Sequence, residues 1–243
     1  MGISISGLEQ LLFLKQNHDN DLHGSVLQLG RQDINFTPDV LQAYAEEFKV
    51  KLAQVPITVN PHTNNLCDST LFASLGFQNI ESMDVTNLEG ATHVHDLNEP
   101  APESLWSKYD MIYDGGTCEH VFDTHSFFRN IDMMLKPGGL VVHESPTNNF
   151  VNHGFYQLSP TLFDDVYSAN NYEILEISMY YYLDPSQVLT HPPVRIPYAR
   201  DSAPMVGKFP VLLATFVVAR KPPHSNGFVK PYQGFYKRAF SLG

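Results

Sequence analysis

The sequence predicts an α/β protein with a mostly parallel sheet, helices on both faces, and an antiparallel pair of strands at one edge. Short apolar runs alternate with helix or turn signals along most of the chain, which is typical of parallel strands buried on both faces. Two long β-rich runs near the end, residues 172–183 and 209–220, have no clear helix between them and favour the antiparallel pair. A hydrophobic content of 43% over 243 residues is enough for one sizeable core.

The first third of the chain predicts three helices and one strand. Thr37 followed by Pro38 indicates the N-terminus of the second helix, and Gly76 is placed to end the third. The predicted elements, in order, are a packing helix at 8–15, a buried strand at 24–30, a helix at 39–53, a surface loop at 55–67 and a helix at 68–77.

The middle of the chain predicts four further strands. Their sequences are apolar and several end in an acidic residue, so the informative positions are the carboxyl ends, where open α/β sheets bind ligands. The predicted elements are strands at 80–85, 92–97, 109–116 and 140–145, with a helix at 119–135 and a turn at 136–139 before the last of them.

Composition excludes several classes of function. The formal net charge is -11, from 15 basic and 26 acidic residues, and no basic face is evident, so nucleic acid is not an expected partner. Two cysteines are too few for a disulfide framework. The N-terminus lacks a signal-peptide pattern, and no apolar run approaches membrane-spanning length. We therefore expect a cytoplasmic protein that has no membrane partner.

Several motifs together resemble the class I S-adenosylmethionine (SAM)-dependent methyltransferases. "YDMIYDGGTCEHVFD" is similar to the fourth strand of that superfamily and the turn after it, and "LKPGGLVVHES" is similar to its fifth strand. "LGRQ", "DGGTCEHVF" and "HGFYQLSP" resemble a bacterial methyltransferase-like subgroup with no well-defined substrate. The likeness covers roughly residues 25–180. It implies a Rossmann-like fold with a seven-stranded sheet.

The chain length and the absence of a repeat or linker predict one domain over residues 1–243. Within it, residues 38–67 would be an inserted helix and loop, and the proline-rich segment 184–209 would be a lid or a subunit contact. Residues 222–243 form an aromatic, basic tail that would pack on the domain or on a second copy of the chain, as in a homodimer. Arg195 and Arg200, in the long segment, hint at an anionic group on the substrate.

The resemblance assigns cofactor-binding roles to the strand ends. Asp84 would accept hydrogen bonds from the ribose hydroxyls of SAM, and Asp96 would take the adenine amine beside the Leu97 backbone. Gly30 would let the chain pass under the methionyl group. Asp114 and Gly115 would lie beside the sulfonium and the incoming substrate.

The glycine turn departs from the superfamily pattern. Gln28 stands where an acid is usual, and Arg31-Gln32-Asp33 replaces the later glycines. The interval from Gly30 to Asp84 also exceeds the about 20 residues of compact dinucleotide-binding folds. Two interpretations stay open for Arg31: it contacts the cofactor carboxylate, or its bulk closes the site.

Candidate catalytic residues follow the fourth and fifth strands. Methyl transfer from SAM needs alignment and, for many nucleophiles, a base, so His153 and His120 are the predicted bases. His120 also has a packing interpretation, and Glu119 is expected to cap a helix or hold a backbone amide. Three polar residues in the loop after the fifth strand are predicted substrate contacts: Asn149, Tyr156 and Gln157.

Two rival functions remain open at this point. One is a methyltransferase fold without catalysis that serves as a binding or scaffold protein. The other is an enzyme that uses a metal. The candidate ligands would be His120, His143 and His153 with a carboxylate, but the chain has no CxxC or HExxH motif, and no metal site is predicted. Cys118 could be a nucleophile, but a buried thiol is the commoner case. The favoured prediction is methyl transfer from SAM to an oxygen or nitrogen of a small molecule.

Overall fold

The structure is a computed structural model that describes residues 2–182, 184, 186, 188–189, 191–200, 210–225 and 227–240. Much of the predicted lid segment, including residues 201–209, therefore lies outside the described residues. Within the described part, no helix combines the length and the apolar character needed to cross a membrane.

The N-terminal third contains three helices and short strands. In chain order the elements are β1 (Gly2–Ile3), α1 (Ile5–Asn17), β2 (Ser25–Leu29), β3 (Asp33–Ile34), α2 (Pro38–Phe48), α3 (Asp68–Leu75) and β4 (Asn79–Asp84). Both signals mark helix ends, although the side chain of Thr37 makes no capping hydrogen bond. Pro38 occupies the first turn of α2, and Gly76 ends α3 with a φ of +120°. The predicted surface loop 55–67 is correct, apart from a single bridge between Val59 and Leu66.

The remaining elements complete the sheet and its second helical layer. They are β5 (His93–Val94), β6 (Tyr109–Asp114), α4 (Thr124–Met134), β7 (Leu135–Asn148), α5 (Pro160–Ala169), β8 (Glu173–Tyr182), β9 (Val194–Pro197), β10 (Leu212–Arg220) and α6 (Gly234–Phe240). Short 3-10 turns lie at Asp19–Asp21, Glu103–Leu105 and Cys118–His120.

Eight strands form one sheet in the order β5-β4-β2-β6-β7-β10-β8-β9. The first five are parallel, with Gln28 of β2 in register with Ser82 of β4 and with Tyr113 of β6. β10 runs antiparallel to both β7 and β8, because the last long strand inserts between them. The predicted α/β class, with a mostly parallel sheet and an antiparallel edge, is therefore confirmed.

Helices cover both faces of the sheet. Leucines of α1 and α3 pack on one face, together with β-strand residues such as Val26 and Val142. Phenylalanines of α4 and α5 pack on the other face, with Leu27 and Val141. Neighbouring strand residues thus point to opposite layers, as the period of two in a strand requires. Both layers leave the carboxyl ends of β2, β4, β6 and β7 at one edge.

Several predicted boundaries were wrong. The helix predicted from residue 119 begins at Thr124, because the Asp123 side chain accepts the Ser126 N–H and caps it there. The "KPGG" turn is part of the long β7, and α5 was not predicted. The sheet has eight strands instead of seven, since Val194–Pro197 of the predicted lid pairs with β8. This short edge strand was not predicted, because the surrounding sequence is polar and rich in proline, as in a loop.

Candidate functional site

A cleft lies at the carboxyl ends of β2 and β4 and has a volume of about 190 Å³. Gly30 and Asp84, both predicted to bind cofactor, face it. Its complete lining is Gly30, Arg31, Gln32, Asp84, Thr86, Leu88 and Glu89. The two strands are adjacent and parallel, which is why residues distant in sequence meet here.

Gly30 makes the turn out of β2 with a φ of +68°. Its N–H donates to the carbonyl of Met83 on β4, at 2.8 Å. A Cβ at this position would lie 2.8 Å from Thr117 Oγ1, and that hydroxyl donates to the Leu29 carbonyl at 2.6 Å. The turn therefore needs glycine for both its backbone angle and its close approach to the loop after β6.

The side chain of Gln28 on β2 bonds to a carboxylate of α3. Gln28 is buried and donates through Nε2 to Asp68 Oδ2 at 2.9 Å. The guanidinium of Arg31 lies 3.5 Å from the same carboxylate oxygen. It also donates to the carbonyl of Glu89 at 2.7 Å. Arg31 thus ties the cleft wall to α3, an arrangement that no local sequence signal reveals.

The side chain of Gln32 occupies the space between the Gly30 turn and Gly115. Its side-chain amide donates to the carbonyls of Leu29 and Gly30, at 3.1 and 3.0 Å. A Cβ on Gly115 would lie 2.5 Å from its Oε1, so the side chain lies against that glycine. This Oε1 is buried and has no hydrogen-bond partner among the described residues. Gln32, for which no contact or role was predicted from the sequence, lies between Gly30 and Gly115.

The two predicted acids on β4 and beyond β5 have different surroundings. Asp84 lines the cleft, and its Oδ1 accepts the Thr86 N–H at 3.1 Å. Asp96 is exposed and lies outside the cleft lining. Hydrogen bonds from the Asn98 backbone and side chain lower its pKa. Leu97 is buried in the second core layer. The structure therefore brings Asp84, but not Asp96, to the Gly30 turn.

Asp114 points into the core and not into the cleft. Its Oδ1 accepts the Thr117 and Cys118 N–H groups, at 2.8 and 3.2 Å. Its Oδ2 lies 2.7 Å from His143 Nδ1, and His143 Nε2 lies 2.5 Å from the Tyr167 hydroxyl. The side chains of Asp114 and His143 are fully buried. This chain of polar groups fixes the turn after β6 against α5.

Glu119 lies at the centre of a second group of functional side chains. Its carboxylate is 1% exposed, with Oε1 at 3.3 Å from His153 Nε2 and 3.9 Å from His120 Nε2. Burial, and then repulsion from Asp114, raises the pKa of Glu119 to about 8. Burial, and then the neighbouring His153, lowers the pKa of His120. Both predicted bases therefore meet at one buried acid, which does not cap α4.

The loop between β7 and α5 anchors itself through the predicted substrate contacts. Asn149 donates to the Val211 carbonyl, and Tyr156 donates through its hydroxyl to the Phe122 carbonyl, each at 2.8 Å. Gln157 accepts the Phe150 N–H at 2.9 Å. These bonds engage the long polar side chains of the loop, which explains why a connecting segment carries so many of them.

A further acid lies beneath the N-terminus of α1. Ser6 donates to Glu144 Oε1 at 2.5 Å, and burial, opposed by this bond, raises the pKa of Glu144 to about 7. The hydroxyl of Tyr113 is buried there without a hydrogen-bond partner among the described residues. Glu144 has no distinguishing signal in the sequence, since it looks like an ordinary alternating residue of a strand.

Other candidates are engaged elsewhere. Burial, with help from Asp114 and Glu119, raises the pKa of Cys118 well above its usual value, which disfavours the thiolate that a nucleophile requires. Arg195 pairs with Glu176, and Arg200 pairs with Asp164 on α5. The two arginines hold the segment before residue 201 against the domain.

No protein-family model and no curated protein matches the chain. Among solved structures, the chain is similar to a candidate methyltransferase from Bacillus halodurans, with 10% identity, a TM-score of 0.49, and coverage of 89% of this chain and 99% of that one. It is also similar to the trans-methyltransferase CalH in complex with S-adenosylhomocysteine, with 12% identity, a TM-score of 0.47, and coverage of 89% and 55%.

A third similar structure is the 1,6-didemethyltoxoflavin-N1-methyltransferase of Burkholderia thailandensis, with bound 1,6-didemethyltoxoflavin and S-adenosylhomocysteine. The identity is 12% and the TM-score 0.44, over 88% of this chain and 78% of that one. At such identities a likeness concerns the path of the chain and not its residues. The fold class therefore rests on the order and direction of the strands themselves.

Proposed function

We propose that the protein transfers a methyl group from SAM to an oxygen or nitrogen of a small molecule. The observation that carries this proposal is the cleft, where the positive-φ turn at Gly30 and the carboxylate of Asp84 face one another at the ends of adjacent parallel strands. A ligand with a hydroxyl-rich sugar suits this position, because a carboxylate can accept several hydrogen bonds at once.

The residues of the cleft fit SAM in character. Asp84 gives one lone pair to the Thr86 N–H and keeps acceptor capacity for a ribose diol. The cavity of about 190 Å³ is smaller than the roughly 300–1,000 Å³ of typical ligand pockets. Binding would therefore move Gln32 or the segment that Arg31 holds at Glu89. Asp96, the Leu97 backbone, and the backbone around Asp114 and Gly115 are proposed to extend the site around it.

The proposed chemical roles follow from the second group of side chains. SAM, when bound, supplies an activated methyl group. His153 or His120 would take the proton from the substrate atom, and the lowered pKa of His120 favours the neutral imidazole that a base requires. Asn149, Tyr156 and Gln157 would contact the substrate from the loop that contains His153.

Calorimetric titration with S-adenosylhomocysteine tests the proposal. We expect one site per chain, and we expect Asp84→Ala to weaken binding at least tenfold, because the ribose hydroxyls would lose their acceptor. Glu103→Ala is the matched control, since this exposed carboxylate lies outside the cleft lining, and it should bind as the unchanged protein does. Equal affinities for the two variants would contradict the assigned role of Asp84.

The scaffold alternative has its own supporting observation. Gln32 and Arg31 use their polar atoms to bond the cleft's own backbone, as a site that no longer takes a ligand would do. The same titration separates the two functions. Absence of binding at millimolar S-adenosylhomocysteine would overturn methyl transfer and favour a binding or scaffold protein.

A further inference from the structure

Glu119, His120 and His153 converge at the carboxyl ends of β6 and β7. Glu119 and His120 belong to the 3-10 turn Cys118–His120, and His153 belongs to the loop that follows β7. One ligand-type atom from each of the three side chains lies within 4.8 Å of the other two. The three residues come from two different loops, so the fold and not local sequence brings them together.

The carboxyl group of Glu119 is buried, and its oxygens make no hydrogen bond with the described residues. The side chain is 1% exposed. Buried polar oxygens without partners are costly, so such groups in folded proteins are hydrogen-bonded, paired or bind a cation. The carboxylate points toward the two imidazoles, which identifies the space between them as the place for the missing partner.

The spacing of the three side chains suits a small divalent ion. Zinc binds histidine nitrogen and carboxylate oxygen at about 2.0–2.2 Å, so ligand atoms in a tetrahedral site lie about 3.3–3.5 Å apart. The observed separations from Glu119 Oε1 are 3.3 Å to His153 Nε2 and 3.9 Å to His120 Nε2. The two imidazole centroids are 5.1 Å apart and tilted by 55°, so the rings are not stacked.

The backbone holds this arrangement in place. The carbonyl of Glu119 accepts the N–H groups of Phe155 and Tyr156, at 2.8 and 3.2 Å. A Cβ on Gly154 would lie 2.8 Å from that carbonyl oxygen, so the loop can approach this closely only with glycine there. Ligands positioned in advance by the surrounding bonds favour metal binding.

We propose that Glu119, His120 and His153 bind one divalent transition-metal ion of the zinc type. Two imidazole nitrogens and one carboxylate are a recognised donor set for such ions, and three protein ligands leave a coordination position open. The two histidine side chains are 38% and 41% exposed, so the open position is accessible to water or to a substrate oxygen. The site lies apart from the cleft at Gly30, and metal binding there does not require SAM. With an ion bound, the ligating nitrogens of His120 and His153 would no longer be available as bases.

Metal titration of the full-length, untagged protein tests the site. After chelator treatment and dialysis, we expect Zn²⁺ to bind in calorimetry at one ion per chain, and Co²⁺ to give the visible absorption of a low-coordinate site with nitrogen and oxygen ligands. His153→Ala and Glu119→Gln should each weaken Zn²⁺ binding at least tenfold. His224→Ala is the control, because this exposed histidine lies outside the cluster and should leave the affinity unchanged.

Three outcomes would overturn the proposal: no stoichiometric Zn²⁺ binding, equal affinity in the cluster variants, or an equal loss in His224→Ala. Circular dichroism would establish that each variant is folded, and His153→Ala is a safe substitution because its side chain lies in a partly exposed loop. Titration of the metal-free protein with S-adenosylhomocysteine separates the two proposals. Binding of Zn²⁺ without binding of S-adenosylhomocysteine would contradict the proposed function alone. Binding of S-adenosylhomocysteine without binding of Zn²⁺ would contradict the metal site alone.

Discussion

At Gly30 a single backbone angle shapes the cleft. The φ of +68° turns the chain under the cleft floor, and the absence of a side chain lets Thr117 donate to the carbonyl just before it. The side chains next to this turn bond to groups that only the three-dimensional structure brings near. Gln28 reaches Asp68 on α3, and Gln32 folds back over the turn.

Gly30→Ala should lower the free energy of unfolding by about 2 kcal/mol, because a positive φ and a crowded Cβ both oppose alanine. Gly138→Ala separates these causes: its φ is +79°, but a Cβ there meets nothing within 4 Å. Gly138→Ala should lower the free energy of unfolding by only about 1 kcal/mol. Urea denaturation measures both, and equal losses would show that the contact with Thr117 does not contribute.

At the level of elements, the chain joins strands through partly buried polar side chains as well as through the backbone ladder. Glu81 of β4 is the clearest example. Its carboxylate accepts from Lys108 Nζ and from the Tyr109 hydroxyl of β6, each at 2.7 Å, and lies 2.7 Å from His93 of β5. Burial by itself raises the pKa of Glu81, but these hydrogen bonds outweigh it and lower the pKa to about 2.

This lowered pKa predicts a specific loss of stability in acid. The contribution of Glu81 is present above its usual pKa of 4.5 and is lost as the pH falls toward the folded-state value of about 2. Between pH 5 and pH 3 the loss should be about 2 kcal/mol. Urea denaturation across that range should show a smaller loss for Glu81→Gln. Parallel pH profiles for the two proteins would contradict the assignment.

At the level of the whole molecule, contacts between distant parts of the chain attach the sheet to the helices that cover it. Arg220, at the end of β10, donates to both carboxylate oxygens of Asp21, which follows α1, at 2.7 and 2.9 Å. The hydrogen bond from Arg220, ahead of the opposing effect of burial, lowers the pKa of Asp21. The inserted last strand is thereby tied to the first helical layer.

A double-mutant cycle with Arg220→Ala and Asp21→Ala should give a coupling energy of about 1 kcal/mol. Both side chains are 27% exposed, so the bidentate geometry raises the value toward the upper end of the range for surface pairs, while solvent limits it. Thermal or urea unfolding of the four proteins measures this energy. Additive effects of the two substitutions would show that the pair contributes nothing to stability.

The fold class, the parallel strands and the helix ends at Pro38 and Gly76 were all predictable, because they depend on local patterns of apolar and turn residues. Gly30 and Asp84 were predictable for the same reason, since strand ends are visible in the sequence. Their meeting in one cleft required only that the two strands be neighbours.

The remaining features depend on contacts that no local pattern encodes. Three features join residues that are far apart in the sequence or depend on side-chain direction. They are the insertion of β10 between β7 and β8, the hydrogen bond from Gln28 to Asp68, and the contact of Gln32 with Gly115. The same holds for Glu119, whose sequence position predicts a helix cap. Only the packing of two loops leaves its carboxylate buried beside His120 and His153, because burial and partnership are properties of the folded chain.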